Sequence, residues 1–159
     1  MIAIIYGTRP EFLKVYPLIK KKKKRNIEFI TINTGQHTSI LQEMEDLFDF
    51  KANYYLKAQN NEFSNTNLLA KLLDSISNVV KANKVDKIIA QGDTFTVLAS
   101  SMVGFLEKIN FYHIEAGLRT DDINFPFPEE FNRRVVSLTS TINFAPTLLS
   151  KNNLLKENI

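Results

Sequence analysis

The sequence predicts an α/β fold built on a doubly wound parallel sheet. Short apolar runs alternate with helical stretches along the whole chain, and the runs are continuously apolar, as in strands buried on both faces. The third observation is that polar strings bearing Gly or Pro follow the ends of those runs, where an open α/β sheet meets its ligand. Ile2–Tyr6 reads as the first strand. Thr8 and Glu11 then form a T-x-x-E capping box, with Pro10 in the first turn, where its missing N–H costs nothing. The helix continues with Phe12, Val15, Leu18 and Ile19 at helical spacing.

Phe29–Thr34 is the second strand, followed by a helix with Ile40, Leu41, Met44, Leu47 and Phe48 on one face. Asn53–Leu56 is a short strand, and Ser64 or Asn65 caps the longest helix, whose stripe runs from Leu68 to Val80. Lys87–Ala90 is a strand. The helix Phe95–Glu107 carries Ala99, Ser100, Ser101 and Gly104, which allow close packing on a sheet. Phe111–Ile114 is a strand, Glu129–Ser140 a helix with Phe131, Val135 and Leu138 inward, and Ile142–Ala145 the last strand. Thr147 caps a final helix. Residues 57–63 and 120–127 are expected to be the mobile pieces.

At 159 residues the expected organisation is a single Rossmann-like domain, 1–159. The chain has no cysteine, which excludes disulfides and thiolate metal sites and fits a reducing compartment. Its first apolar run is too short for a signal peptide or a membrane span, so a cytoplasmic location is expected. The net charge of +3 comes mostly from the run Lys20–Arg25 at the end of the first helix, where cations complement the helix dipole. No aromatic residues are interleaved with it, so no nucleic-acid partner is expected, and no amphipathic face argues for a membrane partner.

Four strings carry the chemistry. In Gly7-Thr8-Arg9-Pro10-Glu11, Gly7 permits a tight turn, and the helix N–H groups with Arg9 suit a diphosphate. Thr8 and Glu11 read as helix initiation, and Lys14 lies one turn further along. Asp93, in Gln91-Gly92-Asp93-Thr94, is either a helix N-cap or a working acid; Thr94 and Thr96 can cap in its place. Glu115, in His113-Ile114-Glu115-Ala116-Gly117, is an acid at the end of an apolar strand and needs a partner or a purpose. His113 reads as a satisfied, half-buried core histidine. In Pro126-Phe127-Pro128-Glu129-Glu130 we assign Glu129 to the crevice and Glu130 to the helix start, with Arg133 holding Glu129 or contacting ligand. Three carboxylates and several cations around one crevice suit proton abstraction and donation beside a bound phosphate. His37 and His113 are far apart in sequence and no D-x-D spacing occurs, so no metal is expected.

With Thr34-Gly35-Gln36-His37 and His113 through Thr120, these strings closely resemble the non-hydrolysing UDP-N-acetylglucosamine 2-epimerases along essentially the whole chain. The resemblance implies the N-terminal half of a two-domain, glycosyltransferase-B-like fold, homodimeric at full length, with its active site between the halves. It implies interconversion of UDP-GlcNAc and UDP-ManNAc through 2-acetamidoglucal and UDP, without metal or nicotinamide, in the biosynthesis of surface polysaccharide. By motif position Arg9 and Lys14 correspond to ligand contacts, and Asp93, Glu115 and Glu129 to the essential acids. Gln36 and His37 match a strand end that in some members helps form a second, regulatory UDP-GlcNAc site, where Glu129 also has a place.

The resemblance further implies an absent C-terminal domain that supplies a histidine and most nucleotide contacts, so turnover by this half alone is not expected. Hydrolysing UDP-sugar 2-epimerases tend to carry G-S-R-A-E-Y and G-D-R-x-E, and Thr8, Pro10 and Thr94 argue against them. The rival outside enzymology is a nucleotide-sugar-binding half-domain without catalysis.

Overall fold

The computed structural model describes residues 1–35, 38–58 and 64–159. Its elements run β1 (Ile2–Tyr6), α1 (Arg9–Lys24), β2 (Phe29–Asn33), α2 (Thr38–Leu47), β3 (Tyr54–Tyr55), α3 (Asn65–Ala82), β4 (Lys87–Gln91), α4 (Phe95–Leu106), β5 (Asn110–Ile114), α5 (Glu129–Thr139), β6 (Ile142–Phe144) and α6 (Leu148–Lys156). The six strands form one parallel sheet in the order β3-β2-β1-β4-β5-β6. The order reverses between β1 and β4, and there the strand ends part to leave a crevice.

Alternate residues of each strand feed two cores. Ala3, Ile5, Ile32, Ile88 and Phe111 pack with Leu72, Ile76 and Val80 of α3 and with α4 on one face. Ile4, Tyr6 and Ile89 pack with Phe12, Val15 and Ile19 of α1 and Leu41 of α2 on the other. Burial on both faces explains why the strands read as unbroken apolar runs. Gly104 lets α4 sit close on the sheet, since a Cβ there would stand 3.1 Å from the Ile109 carbonyl and the Phe111 Cβ.

The expected helix starts hold. Ser64 caps α3 by accepting from the Asn67 N–H, and Thr147 caps α6 by accepting from the Ser150 N–H. Two helix faces differ from expectation. On α5, Phe131 and Leu138 are exposed, and the inward side chains are Glu130, Asn132, Val136 and Ser137. On α2, Ile40 and Leu47 are exposed. Of the segments expected to be mobile, residues 59–63 lie outside the described residues. Residues 120–127 form an irregular loop with its own bonds, the Asn124 and Phe125 N–H groups donating to Asp122. Among the described residues no helix is long and apolar enough to cross a membrane.

Candidate active site

The turns after β1 and β4, with the exit of β5, surround a crevice of about 310 Å³. Its wall includes Glu11 and Lys14 from α1, Asp93 and Thr94 before α4, Glu115 after β5, and Arg133 from α5. A larger groove, about 970 Å³, lies at the β6 edge between α5 and α6; its wall is mostly apolar and contains no carboxylate side chain.

Asp93 and Glu115 thus open on the same space, each held by a cation. Arg133 donates from Nε and Nη2 to Asp93 Oδ2, both at 2.8 Å, and from Nη1 to Glu130 at 3.3 Å. The Asn132 amide donates to the Asp93 carbonyl at 2.7 Å. Lys14 Nζ lies 2.5 Å from Glu115 Oε2, and the Gln91 amide donates to the same oxygen. Glu115 has φ +71°, left-handed for a residue with a Cβ. Burial holds the Asp93 carboxyl above its ordinary range; Arg133 opposes this, and Glu129 and Glu115 add to it.

Asp93 does not cap α4. The cap residue is Thr94, and its hydroxyl makes no cap bond either; it donates to Glu11 Oε1 at 2.6 Å. Glu11 Oε2 accepts the N–H groups of Gly7 and Thr8 at 2.6 and 3.0 Å. This is the Glu11 half of the expected capping box, the Thr8 hydroxyl making no return bond to the Glu11 N–H, and it has a corollary for ligand binding: two N–H groups that the sequence offers to a diphosphate are already taken. Arg9 is exposed at the first residue of α1, between two residues of the crevice wall.

Arg133 pairs with Asp93 and Glu130, not with the expected Glu129. Glu130, expected as a simple helix-start acid, is fully buried between Arg133 and Arg134. Glu129 is half-buried and lies outside the crevice wall, near enough to act on Asp93. Gln36 and His37 lie outside the described residues. His113 is buried rather than half-buried; Nε2 meets the Gly92 carbonyl at 2.7 Å, and burial lowers the tendency of the ring to take a proton. Sequence reasoning missed Gln91 and Asn132, although a Gln closing an apolar strand and an Asn beside Arg133 were both visible signals. Among the described residues no cluster of three His, Asp or Glu side chains is arranged to hold a metal ion.

Burial pushes the Glu11 carboxyl up from its ordinary 4.5 to about 7, against the hydrogen bonds from Thr94, Gly7 and Thr8. Folding therefore favours the protonated form. The stability this group contributes is full below pH 4.5 and is lost as pH rises through 7. Urea unfolding of Glu11→Gln beside the unmodified protein is expected to move in the variant's favour by about 3 kcal/mol between pH 4.5 and 8.

A parallel α/β sheet with acids and cations gathered at its switch point defines a Rossmann-like protein with a polar ligand crevice. The sequence profile of UDP-N-acetylglucosamine 2-epimerase matches residues 20–159, and the chain belongs to that family. A Campylobacter jejuni UDP-N-acetylglucosamine 2-epimerase is 38% identical over 157 residues, 98% of this chain and 41% of its own length. The crystal structure of the Neisseria meningitidis UDP-GlcNAc 2-epimerase bound to UDP-GlcNAc superposes with a TM-score of 0.94 at 40% identity, covering 99% of this chain and 43% of that one. The Methanocaldococcus jannaschii enzyme in complex with UDP-GlcNAc and UDP gives 0.93 at 38% identity, covering 99% and 43%. The chain thus spans about two fifths of the relatives it matches. A Streptomyces glycosyltransferase, 11% identical with a TM-score of 0.53, shares the fold alone.

Proposed function

We propose that residues 1–159 carry one wall of the active site of a non-hydrolysing epimerase that interconverts UDP-GlcNAc and UDP-ManNAc. A carboxylate removes the proton at C2 of the hexose. The C1–O bond breaks with its electron pair leaving on UDP, and a C1–C2 double bond forms, giving 2-acetamidoglucal. Return of UDP to C1, with a proton delivered to the opposite face of C2, completes the inversion and consumes nothing. Asp93 and Glu115 serve as acid and base in the crevice, Glu129 joins them by motif position alone, and Arg9 and Lys14 meet the anionic ligand. Arg133 holds Asp93 in place. The reaction needs only proton transfer and charge stabilisation, so no cofactor is invoked.

The observation that carries this reading is that Asp93 and Glu115 come from different strand ends yet line one crevice with Lys14 and Arg133. The UDP-GlcNAc bound in the Neisseria and Methanocaldococcus structures supplies the substrate class. The same reading includes a cytoplasmic setting in surface-polysaccharide biosynthesis and a homodimer of the complete enzyme. It also includes a C-terminal domain facing the crevice and, beside Gln36 and His37, a second nucleotide-sugar site. Exposed Leu138, Phe144, Leu148 and Leu155 around the β6 groove support further chain packing there.

Incubation with UDP-GlcNAc in deuterated water tests the reaction once the chain is joined to the C-terminal half of the Neisseria meningitidis relative, of which it spans the other 43%. Deuterium is expected at C2 of both UDP-sugars. Release of free sugar in place of exchange would point to hydrolysis, and saturable binding with no C2 exchange would reduce the chain to a binding module.

A further inference from the structure

The β1–β4 ladder pairs Ile2 with Lys87, Ala3 with Ile88 and Ile4 with Ile89, and goes no further. Past that point the β1–α1 turn and the β4–α4 turn diverge around the crevice. The Glu11–Thr94 hydrogen bond spans this gap. Glu11 is 2% exposed and on the crevice wall. One of its oxygens takes two backbone N–H groups of its own turn, and the other takes the hydroxyl of the opposite turn. A carboxylate has the acceptor capacity for all three donors. Thr94 leaves its α4 cap bond unmade while committing its hydroxyl to α1. A local rule broken in favour of a cross-site bond marks a position shaped by the site.

What the bond joins gives it meaning. Asp93 directly precedes Thr94, and Arg9 and Lys14 flank Glu11 within the first two turns of α1. We propose that Glu11 is a positioning residue: through Thr94 it fixes the Asp93 turn against the helix start that carries Arg9 and Lys14. The catalytic consequence rests on the epimerase reading, and the geometric one stands without it. A reacting carboxylate that drifts against the groups holding its substrate loses rate more than affinity.

The test compares Thr94→Val, which keeps the shape and removes the hydroxyl, with Thr94→Ser, which keeps the hydroxyl. Both are made in the 159-residue chain, joined to the same C-terminal half for the kinetics and by itself for the hydrogen exchange. Two quantities are read: kcat and KM for C2 deuterium exchange in UDP-GlcNAc, and NMR hydrogen exchange of the Arg133 Nε–H that donates to Asp93. Thr94→Val is expected to lower kcat at least tenfold with KM within threefold, and to speed Arg133 Nε–H exchange at least fivefold; Thr94→Ser restores both. Should Thr94→Val fail to fold, Thr94→Ala carries the same expectation without the extra bulk. A lowered melting temperature with unchanged kcat and unchanged Arg133 exchange would overturn the proposal, as would failure of Thr94→Ser to restore them. If the joined protein with Thr94 unmodified shows no C2 exchange, the epimerase reading fails, and the Arg133 readout alone decides the positioning role.

Discussion

Asp93→Asn is expected to slow C2 deuterium exchange by about 10²- to 10⁴-fold, the range ascribed to a positioned general acid or base. Asn keeps an oxygen for the Arg133 guanidinium and loses the capacity to carry a proton. Arg133 retains Glu130, so no buried cation is stranded. Affinity for UDP-GlcNAc, measured by calorimetry, is expected to stay within a few-fold. Burial raises the Asp93 carboxyl toward working pH, which suits proton transfer in both directions of a reversible reaction. The limb of the pH–rate profile that requires ionised Asp93 is accordingly expected to lie above the ordinary aspartate range. Exchange that survives in Asp93→Asn at the unmodified rate would remove Asp93 from the chemistry.

Gly117→Ala is expected to cost about 2–5 kcal/mol in urea unfolding, from left-handed backbone strain and overpacking together. Gly117 has φ +87°, and a Cβ there would stand 2.2 Å from the Ser150 carbonyl oxygen and 3.0 Å from Leu154 Cγ. Ser150 is buried in the first turn of α6 and tied to the Thr147 cap, so the helix cannot retreat without losing its start. Gly117 lies two residues after Glu115, and the strain therefore reaches the crevice as well. A loss below about 1 kcal/mol would mean that α6 docks more loosely than its contacts imply.

Local signals in the sequence were legible to within a residue or two. The Thr8/Glu11 box, the Ser64 and Thr147 caps and the strand boundaries depend on neighbours a few positions apart, and each stands within a residue or two of expectation. Partnerships made by the fold were not. Helical spacing offers Arg133 either the acid one turn away or a ligand, yet its partner Asp93 comes from 40 residues earlier. The α5 face was misread for the same reason. Periodicity favours Phe131 and Leu138 as the inner stripe, but Glu130 and Asn132 find charged and backbone partners that make polar burial affordable. The first three strings were recognisable as strand-end turns, and such turns in a parallel sheet share one rim, where each contributes to the crevice wall. Which strands adjoin at the switch point required the structure.

The left-handed backbone at Glu115 sets two demands against each other. The conformation suits Gly or Asn, and the proposed chemistry calls for an acid here, one that reaches Lys14 and Gln91. Substitution by Gly would relax the main chain and discard the carboxylate in one step. Laboratory evolution that selects for heat resistance alone would thus tend to erase the proposed acid at this position.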